Sequence, residues 1–164
     1  MATLFSASEL LDVAIGIERN GLVFYESLAK TSPEKKVCRA CSYLADTERE
    51  HLKVFEDMRR AMGDNPQDTF DEEYSLYLKS LIDSVGFTED KVRTMLAKGA
   101  ESIEALEFAL WAEKDSILFY SEMRHLVPER ERTSVERVIR EEKGHFRHIV
   151  ELKTSLAAGQ RAKR

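Results

Sequence analysis

Four long segments of this sequence repeat apolar residues at helical spacing, and a glutamate interrupts each repeat near its middle. Because an α-helix turns about 100° per residue, residues three, four and seven positions apart lie on one face. An apolar face of this kind is stable when it packs against other helices. No segment alternates like a strand, and the 164 residues include only 3 Pro and 7 Gly. The sequence therefore predicts an all-α protein with four buried glutamates: Glu18, Glu48, Glu113 and Glu142.

Capping signals set the predicted ends of the helices. A capping box that begins at Ser6 opens the first helix, and Ser32 followed by Pro33 is typical of a second N-terminus. Two shorter helices are predicted after the second long helix, where residues 69–72 and Thr88 supply caps. The predicted helices span about 6–30, 33–62, 69–84, 88–99, 100–126 and 128–158.

The connections between the helices predict how they pack. Tight turns join the first long helix to the second and the third to the fourth, so each pair should form an antiparallel hairpin. About 35 residues, including the shorter helices, separate the hairpins, which is long enough to cross the bundle. The predicted fold is a ferritin-like four-helix bundle, in which a long helical crossover joins two antiparallel helical hairpins, as one domain over residues 1–164.

The second half of the chain repeats the first half. Residues 17–25 align with 112–120, where glutamate, phenylalanine and tyrosine coincide, and each half also carries the motif Glu-x-x-His. The first glutamate precedes that of the motif by 30 residues in one half and by 29 in the other. Two such hairpins could meet around a pseudo-twofold axis with their polar residues at one depth. The matching residues are Glu18 and Glu113, Tyr25 and Tyr120, Glu48 and Glu142, and His51 and His145.

Burying four glutamates requires a compensating charge. An unpaired buried carboxylate is strongly destabilising, and neighbouring carboxylates also repel one another. The carboxyl groups therefore either stay protonated in a metal-free polar core or bind cations. Two divalent cations would balance four carboxylates, and Glu-x-x-His places both side chains on one face of a helix. We favour the metal site and predict six ligands: Glu18, Glu48, His51, Glu113, Glu142 and His145.

Two other patterns could be mistaken for functional sites. Glu122 and His125 also have the Glu-x-x-His spacing, but Glu122 follows Glu113 by nine residues, which rotates it about 180° around the helix. That pair is interpreted as a solvated C-terminal turn. Cys38 and Cys41 lie on one face of the second helix and could form a redox pair or a weak metal site, although ordinary thiols are the favoured interpretation.

Several aromatic residues accompany the predicted core. Tyr25 and Tyr120 lie two turns beyond the glutamates of the first and third helices, where they could hydrogen-bond to a ligand or simply pack. Phe24, Trp111 and Phe119 leave the apolar stripe and could pack under the crossover or form a dimer surface. We favour self-association as a homodimer.

These motifs resemble those of the rubrerythrin branch of the ferritin-like superfamily and, more distantly, of bacterioferritin, over essentially the whole chain. The resemblance rests on Glu18 with Tyr25, Glu48-x-x-His51, Glu113 with Tyr120, and Glu142-x-x-His145. It implies a di-iron-carboxylate centre with two iron ions. By that resemblance, Glu48 and Glu142 bridge the metals, Glu18 and Glu113 are terminal carboxylates, and His51 and His145 each bind one iron.

The chain departs from rubrerythrins at two places. Rubrerythrins add a rubredoxin-like iron site with two Cys-x-x-Cys pairs, whereas this chain has only Cys38-x-x-Cys41, so an external donor would supply electrons. Rubrerythrins also carry an extra carboxylate about one turn beyond the third-helix ligand, where this chain has Ser116 and Ile117.

The functional hypothesis is a redox protein that reduces peroxide or O₂, with Fe(II) oxidation as one source of electrons. Two alternatives stay open. One is a non-catalytic iron-handling protein of the ferritin type, and the other is a structural protein that keeps the centre without turnover. Manganese or zinc could occupy the same ligand cage.

Composition argues against several other functions. The formal net charge is −5 without a basic stripe, so nucleic acid is not an expected partner. No apolar run approaches the roughly 18 residues of a membrane span. The N-terminus lacks the pattern of a signal peptide and the chain has 2 cysteines, so a cytoplasmic location is expected.

Overall fold

The computed structural model describes residues 6–63, 70–99 and 102–162, and every regular element within them is an α-helix. The helices are α1 (Ala7–Thr31), α2 (Lys35–Met62), α3 (Glu72–Ser84), α4 (Glu89–Ala97), α5 (Ser102–Leu126) and α6 (Glu129–Ala162). The all-α prediction is therefore confirmed, and α6 continues to Ala162, beyond its predicted end.

The four long helices form two facing hairpins. Helix α1 packs along α2, and α5 packs along α6. The hairpins meet because α1 also contacts α5 and α2 also contacts α6. The crossover helices lie on this bundle, with α4 against α1 and α3 against α5. This arrangement is the predicted ferritin-like fold. None of the helices in the described ranges combines the length and hydropathy that a membrane span needs.

Two helix starts, those of α1 and α4, follow the predicted caps. The Oγ atom of Ser6 accepts a hydrogen bond from the Glu9 N–H at 3.3 Å, and the Glu9 carboxylate accepts one from the Ser6 N–H at 2.8 Å. Thr88 caps α4 in the same way through its side chain. Asp71, within the predicted capping segment, caps α3, whereas Thr69 lies outside the described residues.

The start of α2 differs from the prediction. The sequence predicts Ser32 as the N-cap and Pro33 as the first helical residue, but the helix begins at Lys35. Ser32 instead ends α1, where its N–H donates to the carbonyl of Leu28 at 3.0 Å and its backbone is extended, with ψ of 135°. The helical region is disfavoured for a residue that precedes proline, so the turn takes its extended conformation here. The predicted N-terminus of α2 is therefore wrong by two residues.

The loop between α3 and α4 attaches the crossover to the bundle. The ring of Phe87 in this loop lies 5.7 Å from that of Phe24, which lies 5.1 Å from the ring of Phe108 on α5. A Cβ atom at Gly86 would lie 2.5 Å from the Cα atom of Ala112. Only glycine therefore permits this approach to α5, one residue before a predicted ligand.

The aromatic residues outside the apolar stripe have different surroundings. Phe24 and Phe119 are 0% and 1% exposed, so the dimer-surface alternative is wrong for both residues. Phe24 packs under the crossover, as the other alternative predicts. Trp111 is 40% exposed, and the Nζ atom of Lys91 lies 4.9 Å from the centroid of its ring. Homodimer formation stays a prediction.

Candidate metal centre

The six predicted ligand side chains lie together at the centre of the bundle. Helices α1 and α5 each contribute one glutamate, and α2 and α6 each contribute a glutamate and a histidine three residues later. The exposed fractions are 0% for Glu18, 2% for Glu48, 1% for His51, 0% for Glu113, 1% for Glu142 and 2% for His145. The helical period that puts these residues in the apolar stripes thus also buries them.

The side chains form two overlapping groups that could each hold a metal ion. In each group, one oxygen or nitrogen atom per residue lies within 4.8 Å of every other such atom. The first group is Glu18, Glu48, His51 and Glu142, and the second is Glu48, Glu113, Glu142 and His145. Because Glu48 and Glu142 belong to both groups, each could contact two metal ions at once.

Glu142 lies between the two imidazole rings. Its Oε1 atom is 2.9 Å from His51 Nδ1, and its Oε2 atom is 2.9 Å from His145 Nδ1. His51 Nδ1 is also 3.6 Å from Glu18 Oε2, and His145 Nδ1 is 3.4 Å from Glu48 Oε1. Both histidines therefore present Nδ1 to the carboxylates.

Two of the carboxyl groups favour the protonated form. Burial raises the pKa of Glu48 well above its ordinary value, and the charges of Glu18 and Glu142 raise it further. Burial and the charge of Glu142 likewise raise the pKa of Glu113. Without a cation, these carboxyl groups would hold protons, because the buried centre cannot contain several uncompensated negative charges.

A histidine supplies positive charge beside Glu142. Burial raises the pKa of Glu142, but hydrogen bonds with His145 and His51 outweigh burial and bring the pKa below its ordinary value. Burial lowers the pKa of His51, but its interactions with Glu142 and Glu18 outweigh burial and raise the pKa to about 11. A protonated imidazole thus occupies the electrostatic role that a metal cation could take.

Three glutamates of the cluster each have a buried carboxylate oxygen with no hydrogen-bond partner among the described residues. These atoms are Glu18 Oε2, Glu48 Oε1 and Glu113 Oε2. Buried polar atoms are rarely left in this state, and a bound ion is one explanation. Carboxylate oxygens and imidazole nitrogens are suitable ligands for iron, manganese and zinc. The residues therefore fit a pair of metal ions.

Two tyrosines hold the glutamates of the opposite hairpin. The Tyr25 hydroxyl on α1 donates to Glu113 Oε1 on α5, and the Tyr120 hydroxyl on α5 donates to Glu18 Oε1 on α1. Both phenols are fully buried, and burial raises the pKa of each well above its ordinary value. Each phenol therefore stays a hydrogen-bond donor and orients one oxygen of a glutamate, while the other oxygen of that glutamate is left for a ligand role.

Glu141 contacts His51, and the sequence analysis did not predict this contact. Its Oε2 atom lies 2.7 Å from His51 Nε2, on the side of the ring opposite the cluster. Metal-binding histidines usually donate their second ring nitrogen to a carboxylate, a carbonyl or water. The position of Glu141 next to Glu142 makes it a candidate partner for a histidine ligand, but the sequence does not identify which histidine it contacts.

Gly21 is a second residue that the sequence analysis did not single out. A Cβ atom at this position would lie 3.0 Å from Glu48 Oε2 and 3.3 Å from Glu48 Cδ. Gly21 therefore leaves the space that the Glu48 carboxylate occupies. The signal was a glycine inside a helix, where it is unfavourable unless packing or function requires it.

The other patterns lie outside the cluster. Glu122 accepts hydrogen bonds from the hydroxyl groups of Tyr74, at 2.9 Å, and Tyr77, at 3.5 Å, and His125 is exposed. The prediction that this pair faces away from the centre is confirmed, but the solvated-turn interpretation is wrong for Glu122, which is half-buried and bonded to α3. His148, on the flank of α6, lies with its ring 6.0 Å from that of Tyr43 rather than in either ligand group.

The two cysteines behave as ordinary thiols in this structure. Both are free, and neither belongs to a ligand group. The Sγ atom of Cys38 lies 3.2 Å from the carbonyl oxygen of Ser32. Burial raises the pKa of Cys41 to about 12, with a smaller effect from Cys38. A thiol with a raised pKa contains little reactive thiolate at neutral pH, which argues against a redox pair.

Comparison with known proteins agrees with this geometry. The model of the family described as Rubrerythrin matches residues 9–153. The fold is similar to the crystal structure of a Thermotoga maritima protein assigned as ferritin-like and diiron-carboxylate. The TM-score is 0.74 with 25% sequence identity, over 94% of this chain and 98% of that chain. A search of curated proteins found no match.

Proposed function

Because this chain belongs to the rubrerythrin family, we propose that its buried cluster binds two iron ions and reduces peroxide or O₂ with electrons from an external donor. The observation that carries the proposal is that Glu48 and Glu142 are shared by both groups of possible ligands. Carboxylates in this position can bridge a metal pair. The proposed ligands are Glu18, Glu48, His51, Glu113, Glu142 and His145.

The charges of the cluster suit such a pair. Two ferrous ions would balance the charge of four carboxylates. They would supply two electrons, which with two protons from solvent reduce H₂O₂ to two water molecules or O₂ to H₂O₂. The imidazoles of His51 and His145 would then act as neutral ligands through Nδ1, the nitrogen that each presents to the carboxylates. The burial of every ligand keeps bulk water away from the reacting atoms.

The tyrosines would maintain the geometry of the site. Tyr25 and Tyr120 each hold one oxygen of a glutamate on the opposite hairpin, so rotation of Glu113 and Glu18 would require a buried hydrogen bond to break. Their raised pKa values keep the phenolic protons on the Oη atoms at neutral pH. We infer that they position the terminal carboxylates rather than exchange protons with solvent.

Anaerobic loading with Fe(II) tests the binding step. Wild-type protein should bind two iron ions per chain, and Glu142→Gln/His145→Gln should lose at least one of them. Glu122→Gln/His125→Gln is a matched control, because it removes the same residue types at the same spacing from outside both ligand groups. Equal iron content in all three proteins would reject the proposed site, and the metal content of protein purified without oxygen would identify the native metal.

Mixing the loaded protein with H₂O₂ or O₂ tests the redox step. Oxidant-dependent visible absorption, followed by repeated turnover when a reductant is supplied, is the expected result. Bound iron that gives no oxidant-dependent absorption would reject this function.

The alternative is a non-catalytic iron-handling protein, and one observation favours it. Ser116 and Ile117 stand in the region where the resemblance to rubrerythrins places an additional carboxylate, and the Ser116 hydroxyl donates to the carbonyl of Ala112. Iron oxidation without turnover by a supplied reductant would support this alternative. A mass in solution corresponding to a large multi-subunit shell would further indicate iron storage.

A further inference from the structure

The two histidines of the cluster differ at the ring nitrogen that faces away from it. His51 Nε2 lies 2.7 Å from Glu141 Oε2, which is a charge-assisted contact. His145 Nε2 is buried and has no hydrogen-bond partner among the described residues. The two halves of the centre are therefore unequal, although their proposed ligands match residue for residue.

The internal repeat explains this inequality. Glu141 precedes Glu142 on α6 as Thr47 precedes Glu48 on α2. Threonine has no carboxylate, and the Thr47 hydroxyl donates to the carbonyl of Tyr43 on its own helix at 3.2 Å. The position that would support the second histidine by symmetry thus provides no carboxylate for it.

No described residue around the second histidine hydrogen-bonds to its Nε2 atom. His145 borders a surface cavity whose lining includes the carboxylates of Glu141 and Glu151, but neither of them makes this bond. The ring of Tyr43 is 6.5 Å from that of His145 and nearly perpendicular to it, at 81°. An aromatic ring edge near the imidazole does not replace a hydrogen bond from Nε2–H to a carboxylate.

A carboxylate at Nε2 changes how an imidazole binds metal. It selects the tautomer with the proton on Nε2, which leaves the Nδ1 lone pair directed at the metal, and it increases the basicity of that nitrogen. Loss of such a partner typically reduces metal affinity by about 10- to 100-fold. Glu141 supplies this partner to His51 alone.

We propose that the two metal positions differ in affinity, and that the position at His51 binds first because Glu141 is a positioning residue for its imidazole. This inference rests on the proposed metal-binding function. It adds an order of loading, in which one metal enters the group of Glu18, Glu48, His51 and Glu142 before the second enters at His145.

Stepwise titration with Co²⁺ under anaerobic conditions tests the order, with affinities from calorimetry and from the visible absorption of bound Co²⁺. Wild-type protein should bind in two resolved steps. Glu141→Gln removes the charge with little change of size, and it should weaken the tighter step by about 10- to 100-fold while leaving the weaker step within about threefold. Glu136→Gln, which removes an exposed charge from the same helix away from this cavity, should leave both steps unchanged.

A gain-of-function variant keeps the test independent of any folding defect. Thr47→Glu places a carboxylate at the position symmetrical to Glu141, and it should tighten the weaker step. Two equal binding steps in the wild type would overturn the inference, and so would a Glu141→Gln effect that falls on the weaker step, on both steps equally, or on neither. A wild-type protein that binds no Co²⁺ would overturn the proposed metal site and this inference with it. Two resolved Co²⁺-binding steps that Glu141→Gln leaves unchanged would overturn only the inference.

Discussion

Replacing Gly21 by alanine should separate the stability of the metal-free bundle from its capacity to bind metal. The added Cβ atom would lie 3.0 Å from Glu48 Oε2 and 3.3 Å from Glu48 Cδ. These distances are shorter than ordinary contacts, so the carboxylate must move by a few tenths of an ångström. Because Glu48 belongs to both ligand groups, its displacement alters both proposed metal positions.

Two opposing effects set the result for the metal-free protein. Alanine is favoured over glycine inside a helix by about 1 kcal/mol. Crowding in a well-packed core costs about 1–3 kcal/mol, and the lower value applies where a side chain can shift. The carboxylate of Glu48 is not held by metal in this state, so the free energy of unfolding should stay within about 1 kcal/mol of the wild-type value.

The metal-loaded protein should respond more strongly, because Glu48 cannot shift without changing its metal bonds. A tenfold loss of metal affinity corresponds to about 1.4 kcal/mol. For a chain of this length, 1 kcal/mol changes Tm by about 2–4 °C. The rise in Tm on metal binding should therefore be about 3–6 °C smaller in Gly21→Ala than in the wild type.

Thermal unfolding followed by circular dichroism, with EDTA and then with Co²⁺, measures both effects. Gly16→Ala is the matched control, because Gly16 lies on the same helix and a Cβ atom there would meet nothing within 4 Å. This control should keep the full rise in Tm on metal binding. If metal binding raises the Tm of Gly21→Ala by as much as it raises that of the wild type, the glycine is not needed to make room for the Glu48 carboxylate, and the argument is refuted.

Three further predictions follow from the same contacts. Tyr25→Phe leaves Glu113 Oε1 without its donor, so urea unfolding should show a loss of about 1–3 kcal/mol, and an unchanged midpoint would contradict this role. The pKa values of Glu48, Glu113 and His51 are raised in the folded protein, which therefore holds more protons than the unfolded chain above the ordinary glutamate value of 4.5. Metal-free protein should accordingly lose stability between about pH 5 and pH 9, by up to about 1.4 kcal/mol per pH unit for each extra proton. Stabilisation by metal should increase over the same range, because the ligands must lose their protons to bind it. Melting curves with and without EDTA would show opposite trends with pH. Gly86→Ala would place a Cβ atom 2.5 Å from the backbone of α5, so it should destabilise the protein by about 1–3 kcal/mol or more, and a wild-type Tm would disprove the close approach of the crossover.

Local sequence information was enough to identify the bundle and the residues of its centre. The direction of a side chain along a helix depends only on its position in the helical repeat. Glu18 therefore points into the core with the apolar residues of its own stripe, and Glu113 does so at the same depth because the two halves of the chain repeat. The same property places Glu122 on another face, despite its Glu-x-x-His spacing.

Only the tertiary structure decided which groups meet between helices. Tyr25 donates to Glu113 on the opposite hairpin rather than to Glu18 on its own helix. Glu141 contacts His51 on α2 rather than His145 on its own helix. Periodicity within one helix specifies a face, but it does not specify the axial position and rotation of one helix relative to another. A hydrogen bond needs donor and acceptor within about 3 Å of each other, and only the packing of the whole bundle establishes that distance.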